Sequence, residues 1–179
     1  MRLSLIRHTK PRVDEGVCYG QADLPVDEES FEEEAKLVDQ HLTSSVEVFW
    51  TSPLIRCRRL ADYLCAVRNR PLHVEPLLKE MNFGRWEEKK WTEIPRSETE
   101  PWIENMATHA PPEGESLGDL VDRLKLLLRR WKGLPYHHVA AVTHGGVIRI
   151  LLSLTQQKDL SSCMEIPVLY GTCHETVLV

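Results

Sequence analysis

The sequence lacks the features that mark membrane, secreted and nucleic-acid-binding proteins. Its 179 residues contain no apolar stretch that approaches the ~18 residues needed to span a membrane, and no apolar core of a signal peptide near the amino terminus. The formal net charge is −5, which gives no support to nucleic-acid binding. An acidic protein can still hold a local basic pocket for an anion. We therefore expect neither a membrane nor a nucleic acid as partner.

Cysteine pairs and metal-binding motifs are also missing. The five cysteines are odd in number and contain no C-x-x-C pair, which argues against a disulfide framework and against a zinc knuckle. The H-E-x-x-H pattern of zinc enzymes does not occur either. Reduced thiols in a cytosol are the expected state, with Cys57 and Cys65 packed within a helix. The sequence thus predicts a cytoplasmic protein without a metal or another cofactor.

Strands and helices alternate along the chain. The length and a balance of 42% hydrophobic to 27% charged residues indicate one globular domain over residues 1–179. Hydrophobic periodicity predicts strand Leu3–Ile6, loop Pro11–Pro25, helix Asp27–Leu42 and strand Val46–Trp50, in that order. A helix to Arg68 follows, with Ser52 as N-cap and Pro53 as its first residue, and then strand Leu72–Glu75. Beyond residue 112 the predicted elements are helix Ser116–Trp131, strand Val139–Val142, a helix from Gly145, and one or two strands within Cys163–Val179. This order predicts an α/β fold of three layers, α/β/α, with a mainly parallel sheet.

The segment from about residue 86 to 112 has a different texture, with several charges and prolines around Trp86, Trp91 and Trp102. We interpret it as a short cap inserted over one face of the domain. Its tryptophans are expected to pack in the core of the cap, and stacking on an aromatic part of a substrate is the alternative.

Two histidines follow two of the apolar runs directly. Arg7-His8-Thr9 comes after Leu3–Ile6, and Thr143-His144-Gly145-Gly146 comes after Val139–Val142. Because ligands bind at the carboxyl ends of parallel strands, these residues can form one cationic pocket. Arginine binds phosphate oxygens in a bidentate manner, and a neutral imidazole can attack phosphorus. Gly145 and the following helix start offer further N–H donors. The pattern predicts phosphotransfer through a phosphohistidine at His8.

Residue spacing alone does not decide which arginine also binds phosphate or which carboxyl is the general acid. Arg56 lies one turn into the helix after the second strand, but Arg58 and Arg59 follow it at once, so that any of the three could bind phosphate. A leaving alcohol needs a proton from a general acid. Glu80 is the best-placed carboxyl, and Glu75 and Glu87 are alternatives.

Four elements in the same order resemble the histidine phosphatase superfamily, which has the phosphoglycerate mutase-like fold. They are Arg7-His8-Thr9, Ser52-Pro53-Leu54-Ile55-Arg56, the run from Glu80 to Glu87, which matches Glu-x-x-x-Gly-x-Trp-Glu, and His144-Gly145-Gly146. The resemblance covers nearly the whole chain. It implies that His8 accepts the phosphoryl group, that Arg7, Arg56, His144 and Gly145 surround the phosphate, and that Glu80 is the proton donor and later the general base. It also implies that no metal takes part.

Within the superfamily, further details are similar to the alpha-ribazole phosphatase group. They are Arg7-His8-Thr9-Lys10-Pro11, the stretch from Cys18 to Asp23, Asn82-Phe83-Gly84-Arg85-Trp86-Glu87, Pro112-Glu113-Gly114-Glu115-Ser116, and the stretch from His144 to Arg149. The asparagine that many members carry after the nucleophile is absent, and the cap is short for a mutase. The resemblance implies hydrolysis of alpha-ribazole 5′-phosphate. The alternatives are a phosphatase of other small phosphomonoesters, a phosphoglycerate mutase, and a non-catalytic phosphate-binding regulatory module.

Overall fold

A computed structural model describes residues 1–179, apart from the side chain of Ser161. The strands are β1 (Arg2–Arg7), β2 (Val48–Thr51), β3 (Leu72–Val74), β4 (His138–Thr143) and β5 (Cys173–Val177), and the α-helices are α1 (Glu28–His41), α2 (Ile55–Arg68), α3 (Arg96–Glu104), α4 (Leu117–Lys132) and α5 (Gly145–Thr155). Short 3₁₀ helices cover Pro76–Leu78, Gly84–Trp86, Trp91–Glu93 and Leu160–Glu165. None of the helices in the described residues combines the length and the apolar character required to cross a membrane.

The strands form one sheet in the order β3-β2-β4-β1-β5. The first four strands of this order run parallel to one another, and β5 pairs antiparallel with β1 at the edge. The predicted, mainly parallel sheet is thereby confirmed. The three central strands β2, β4 and β1 end at the same edge of the sheet, where ligands bind in open α/β folds.

Side chains of the central strands point alternately to the two faces of the sheet. In β4, Val139 and Ala141 pack in a cluster with α4 and α5, whereas Ala140 and Val142 pack in a second cluster with α1 and α2. Burial on both faces explains why the strands are apolar runs without polar alternation. The three-layer α/β/α prediction is confirmed.

The predicted start of α2 is wrong. Ser52 and Pro53 lie before the helix, which begins at Ile55 with Leu54 as N-cap, because Leu54 has extended backbone angles. The cap comes from elsewhere in the chain: the Asp23 carboxylate accepts the Ile55 N–H at 2.7 Å. A carboxylate at a helix N-terminus is favourable for the helix dipole. The Ser52 hydroxyl is left for a different contact, described below.

Other boundaries differ less. Strand β2 begins at Val48 rather than Val46, and β3 ends at Val74 because Glu75 is the N-cap of a 3₁₀ helix. The described tail contains one strand, β5. Helix α4 begins at Leu117, one residue later than predicted, because Ser116 is its N-cap and forms a capping box with Asp119.

The cap is built around its tryptophans. The rings of Trp86, Trp91 and Trp102 lie 5.4–6.2 Å apart, and Phe83 packs against the same group. Trp86 is buried, and its indole N–H donates to Glu98 at 2.8 Å. This arrangement favours the core-packing interpretation for Trp86.

Candidate active site

Three neighbouring strands deliver polar residues to one point. Arg7 of β1 pairs with Thr143 of β4, and Thr51 of β2 pairs with Val142, so that His8, His144 and Ser52 follow adjacent strand ends. The two imidazole rings are 5.2 Å apart between centroids and are both buried. The structure therefore brings together the two histidines that the sequence places at strand ends.

His8 presents one unprotonated nitrogen. Its Nδ1 lies 2.6 Å from the carbonyl oxygen of Thr9, which can only accept, so Nδ1 carries the proton and Nε2 holds a lone pair. Burial lowers the pKa of His8 well below its usual value of 6.5, and the nearby cations Arg56 and Arg7 lower it further, against the Thr9 hydrogen bond. At neutral pH the ring is thus a neutral imidazole of fixed orientation, the form that a histidine nucleophile requires.

His144 is contacted by side chains from the β2–α2 connection and from α2 itself. Its Nε2 lies 2.9 Å from the Ser52 hydroxyl and 3.4 Å from the Cys57 thiol. Burial lowers the pKa of His144 well below 6.5, followed by the charges of Arg56 and His8. The Ser52 hydroxyl thus contacts His144, a contact between distant parts of the chain that strand and helix periodicity cannot reveal.

Arg56 lies on the first turn of α2 and is completely buried. Its Nη1 donates to the Ala22 carbonyl at 2.7 Å and its Nη2 to the Gly20 carbonyl at 2.5 Å. The alternatives are elsewhere: Arg58 pairs with Asp62 and Arg59 with Glu28 on the exposed side of the helix. The geometry therefore singles out Arg56 among the three arginines.

Arg7 lies beside the same histidine pair. Its Nη1 donates to the Val168 carbonyl at 2.7 Å, and its guanidinium carbon is 3.7 Å from the centroid of the Tyr170 ring. The Nε groups of Arg7 and Arg56 are both buried without an acceptor in the described part of the chain. Among the described residues, no carboxylate lies within ion-pair distance of either guanidinium. Because a buried charge is costly without a partner, this arrangement favours a bound anion.

The Glu80 side chain contacts the N-terminus of α5. Its Oε2 accepts the Gly146 N–H at 2.9 Å, and its Oε1 accepts its neighbour's N–H, that of Met81, at 3.1 Å. A Cβ at position 146 would lie 2.5 Å from Glu80 Oε1, so a larger residue there would displace this carboxylate. Gly145 lies against Arg7: an added Cβ would be 3.5 Å from its guanidinium.

The two other carboxyls considered from sequence have structural contacts instead. Glu75 caps a 3₁₀ helix by accepting the Leu77 N–H, and Glu87 accepts the N–H groups of Gly20, Gln21, Ala22 and Phe83. Of the three candidates, only Glu80 meets the α5 N-terminus that follows His144.

Two tyrosines beside the histidines were not predicted. The Tyr170 ring lies 5.6 Å from that of His8, and its hydroxyl is 2.6 Å from that of Tyr19. Burial raises the pKa of Tyr19, so it stays protonated. Tyr19 lies in the Cys18–Asp23 stretch that resembles the alpha-ribazole phosphatase group, but that resemblance gave it no role, and Tyr170 lies in an irregular segment outside the motifs. Among the described residues, no group of three or more His, Cys, Asp or Glu side chains is placed to hold a metal ion.

Comparison with known proteins agrees with this geometry. The model of the histidine phosphatase superfamily (branch 1) matches residues 3–179. The chain belongs to the histidine phosphatase superfamily. The predicted family and enzyme class, a histidine phosphatase, are thereby confirmed.

The names of the relatives of this histidine phosphatase refer to two different activities, alpha-ribazole phosphatase and phosphoglycerate mutase. The adenosylcobalamin/alpha-ribazole phosphatase of Escherichia coli is 27% identical over 86% of the chain and 78% of its own length. The probable phosphoglycerate mutase of Photorhabdus laumondii is 33% identical over 81% of the chain and 70% of its own length. The crystal structure of the alpha-ribazole phosphatase from Shigella flexneri superimposes with a TM-score of 0.89 at 25% identity, over 98% of this chain and 89% of that one.

Proposed function

We propose that this protein is a metal-independent phosphomonoesterase that works through a phosphohistidine at His8, with alpha-ribazole 5′-phosphate as its favoured substrate. The observation that carries the proposal is the pair of guanidiniums, Arg7 and Arg56, which have no carboxylate partner in the described residues and lie beside a neutral imidazole. A phosphate dianion fits such a site, because it supplies the missing charge and can accept from guanidinium N–H groups that lack an acceptor.

In the first step, Nε2 of His8 attacks phosphorus while the bond from phosphorus to the ester oxygen breaks. Glu80 gives a proton to the leaving alcohol. Arg7, Arg56, His144 and the N–H groups around Gly145 stabilise the charge on the transferred group. Water then attacks the phosphohistidine, Glu80 takes the proton of that water, and inorganic phosphate leaves with His8 neutral again.

The substrate is supported by similarity alone. Two of the relatives named above are alpha-ribazole phosphatases, and one of them matches nearly the whole fold. We also propose that residues 1–179 form a single domain. The five free cysteines support a cytosolic location as part of the same proposal.

The test measures phosphate release from alpha-ribazole 5′-phosphate against sugar phosphates, nucleotides and phosphoglycerates, with a chelator present. A kcat/KM at least ~100-fold above the panel, or about 2.7 kcal/mol of preferential transition-state binding, is the expected result. His8→Ala should reduce turnover to below about a hundredth of wild type, and His41→Ala, at the exposed end of α1, is the matched control.

A flat profile that still depends on His8 would keep the phosphatase and discard the substrate. The mutase alternative rests on the name of the 33% identical relative. Product analysis separates the two activities, because a mutase returns an isomeric phosphate whereas a phosphatase releases inorganic phosphate. A panel without any His8-dependent product would favour the non-catalytic module.

A further inference from the structure

An apolar cavity of about 140 Å³ adjoins Glu80. Glu80 and Gly146 form one side of it, and its other walls include Trp102 and Met106 of the cap segment, together with Phe83 and Leu117. A wider hollow of about 490 Å³ shares Met106, Leu117 and Met164 with this cavity and extends along α4.

The position of the cavity links it to the ester oxygen. In the proposed function, on which this inference rests, Glu80 protonates the alcohol as it leaves His8-bound phosphorus. The alcohol must therefore lie on the Glu80 side of the phosphate. Since Glu80 is itself part of the cavity wall, the cavity lies on the same side of the phosphate as the organic part of the substrate.

The size and character of the cavity restrict what it can hold. A cavity of ~150 Å³ with aliphatic and aromatic walls accommodates a benzene ring and excludes water. Most of the walls here are of the same kind, and the three methionines among them, Met81, Met106 and Met164, adapt to flat or irregular groups because their side chains are unbranched. A polyhydroxylated or charged group would lose its hydration in this space without regaining hydrogen bonds.

One cation lies at the cavity and supplies the rival interpretation. Arg149 of α5 is part of the wall, and its Nε–H donates to the Ile166 carbonyl at 2.9 Å. Its Nη1 would be 3.1 Å from a Cβ at Gly145, so the guanidinium lies towards the phosphate end. A substrate carboxylate, as in phosphoglycerates, could pair with Arg149 there. The apolar walls occupy the remainder of the cavity.

We propose that this cavity holds a compact apolar ring of the substrate alcohol, so that the enzyme selects phosphomonoesters that carry such a ring over small polar ones. The preference among phosphomonoesters thus depends on whether the alcohol carries such a ring and not on how good a leaving group the alcohol is.

The experiment compares ethyl phosphate with benzyl, 2-phenylethyl and 4-phenylbutyl phosphates, whose alcohols are all poor leaving groups. The best aryl-alkyl ester should exceed ethyl phosphate at least tenfold in kcat/KM, and 3-phosphoglycerate should not exceed that ester. Met106→Trp, which fills the cavity, should reduce this preference below threefold. Leu126→Trp adds the same ring on the exposed side of α4, outside the cavity, and should keep the wild-type preference and rates.

A second variant guards against misfolding of the first. Met106→Gln keeps the length of the side chain, adds a polar amide to the wall, and should also lower the preference. Equal rates on ethyl and aryl-alkyl esters, or a faster rate on 3-phosphoglycerate, would overturn the subsite while leaving the phosphatase intact. An unchanged preference in a folded Met106→Trp protein would also overturn it. Failure of the wild type on every ester would instead contradict the proposed function.

Discussion

The two sides of the candidate site are positioned by different means. On the histidine side, His8 and His144 directly follow β1 and β4, and the hydrogen-bond ladder of the sheet sets their spacing. On the opposite side, Arg56 and Glu80 depend on irregular segments that are held by single side chains from distant parts of the chain. The positions of the two histidines follow from local sequence, whereas the positions of Arg56 and Glu80 depend on contacts that form only when the chain folds.

Two side chains of opposite charge hold the irregular segments of the second side. The Glu87 carboxylate accepts four backbone N–H groups at 2.8–3.0 Å and so fixes residues 20–22, whose carbonyl groups hold Arg56. The Arg123 guanidinium donates to the carbonyl oxygens of Leu77 and Glu80 at 2.6 and 2.9 Å. Arg123 is itself paired with Glu115 at 2.6 Å, and each side chain is only 15% exposed.

The largest expected effect concerns Glu80 itself. Glu80→Gln removes the proposed proton donor, so hydrolysis of esters with poor leaving groups should fall by about 10²–10⁴-fold. An activated ester such as p-nitrophenyl phosphate needs little help in leaving and should lose much less. The measurement is kcat/KM on both esters, with Glu100→Gln on the exposed side of α3 as control. Equal losses on the two esters would remove Glu80 from the role of general acid.

These two sides differ in how well sequence alone could predict them. Buried strands and their ends are visible in hydrophobic runs, so that the sheet, its flanking helices and the positions of His8 and His144 were correctly predicted. The choice of Arg56 over Arg58 and Arg59 came from family resemblance, because its contacts lie 34 and 36 residues away. The start of α2 was wrong for the same reason: its cap, Asp23, lies 32 residues before Ile55.

Arg123→Gln tests whether the guanidinium positions Glu80. Loss of the Arg123 hydrogen bonds to the Leu77 and Glu80 carbonyls should shift the segment that carries Glu80. We expect kcat on esters with poor leaving groups to fall by about 10–100-fold, since small displacements of catalytic groups slow the reaction strongly. The loss should be smaller on p-nitrophenyl phosphate, as in Glu80→Gln. Arg129→Gln, exposed on the same helix, is the matched control. A variant that loses stability but slows both esters equally would show that Arg123 has only a structural role.

Glu87→Gln should affect phosphate binding more than the leaving group. An amide offers one acceptor oxygen and turns N–H donors towards the backbone N–H groups, so that residues 20–22 and with them Arg56 become less well ordered. We expect the inhibition constant of inorganic phosphate to rise about tenfold and the free energy of unfolding to fall by about 2–4 kcal/mol. Glu88→Gln, an exposed neighbour, should change neither quantity. An unaltered inhibition constant in a destabilised Glu87→Gln protein would separate this carboxylate from the phosphate site.

The smallest expected effect tests the histidine side through pH. The pKa of His8 is well below 6.5 in the folded protein, chiefly through burial and then through Arg56. As the pH falls below 6.5, the unfolded chain takes up a proton at this position and the folded protein does not, so the free energy of unfolding decreases with falling pH. One such histidine contributes up to about 1.4 kcal/mol per pH unit. His8→Asn should therefore lose stability more slowly than wild type in urea unfolding at pH 6.5, 6.0 and 5.5, whereas His41→Asn should follow wild type. The same slope in wild type and His8→Asn would mean that folding does not lower the pKa of His8, which would contradict an imidazole held neutral by burial and by Arg56.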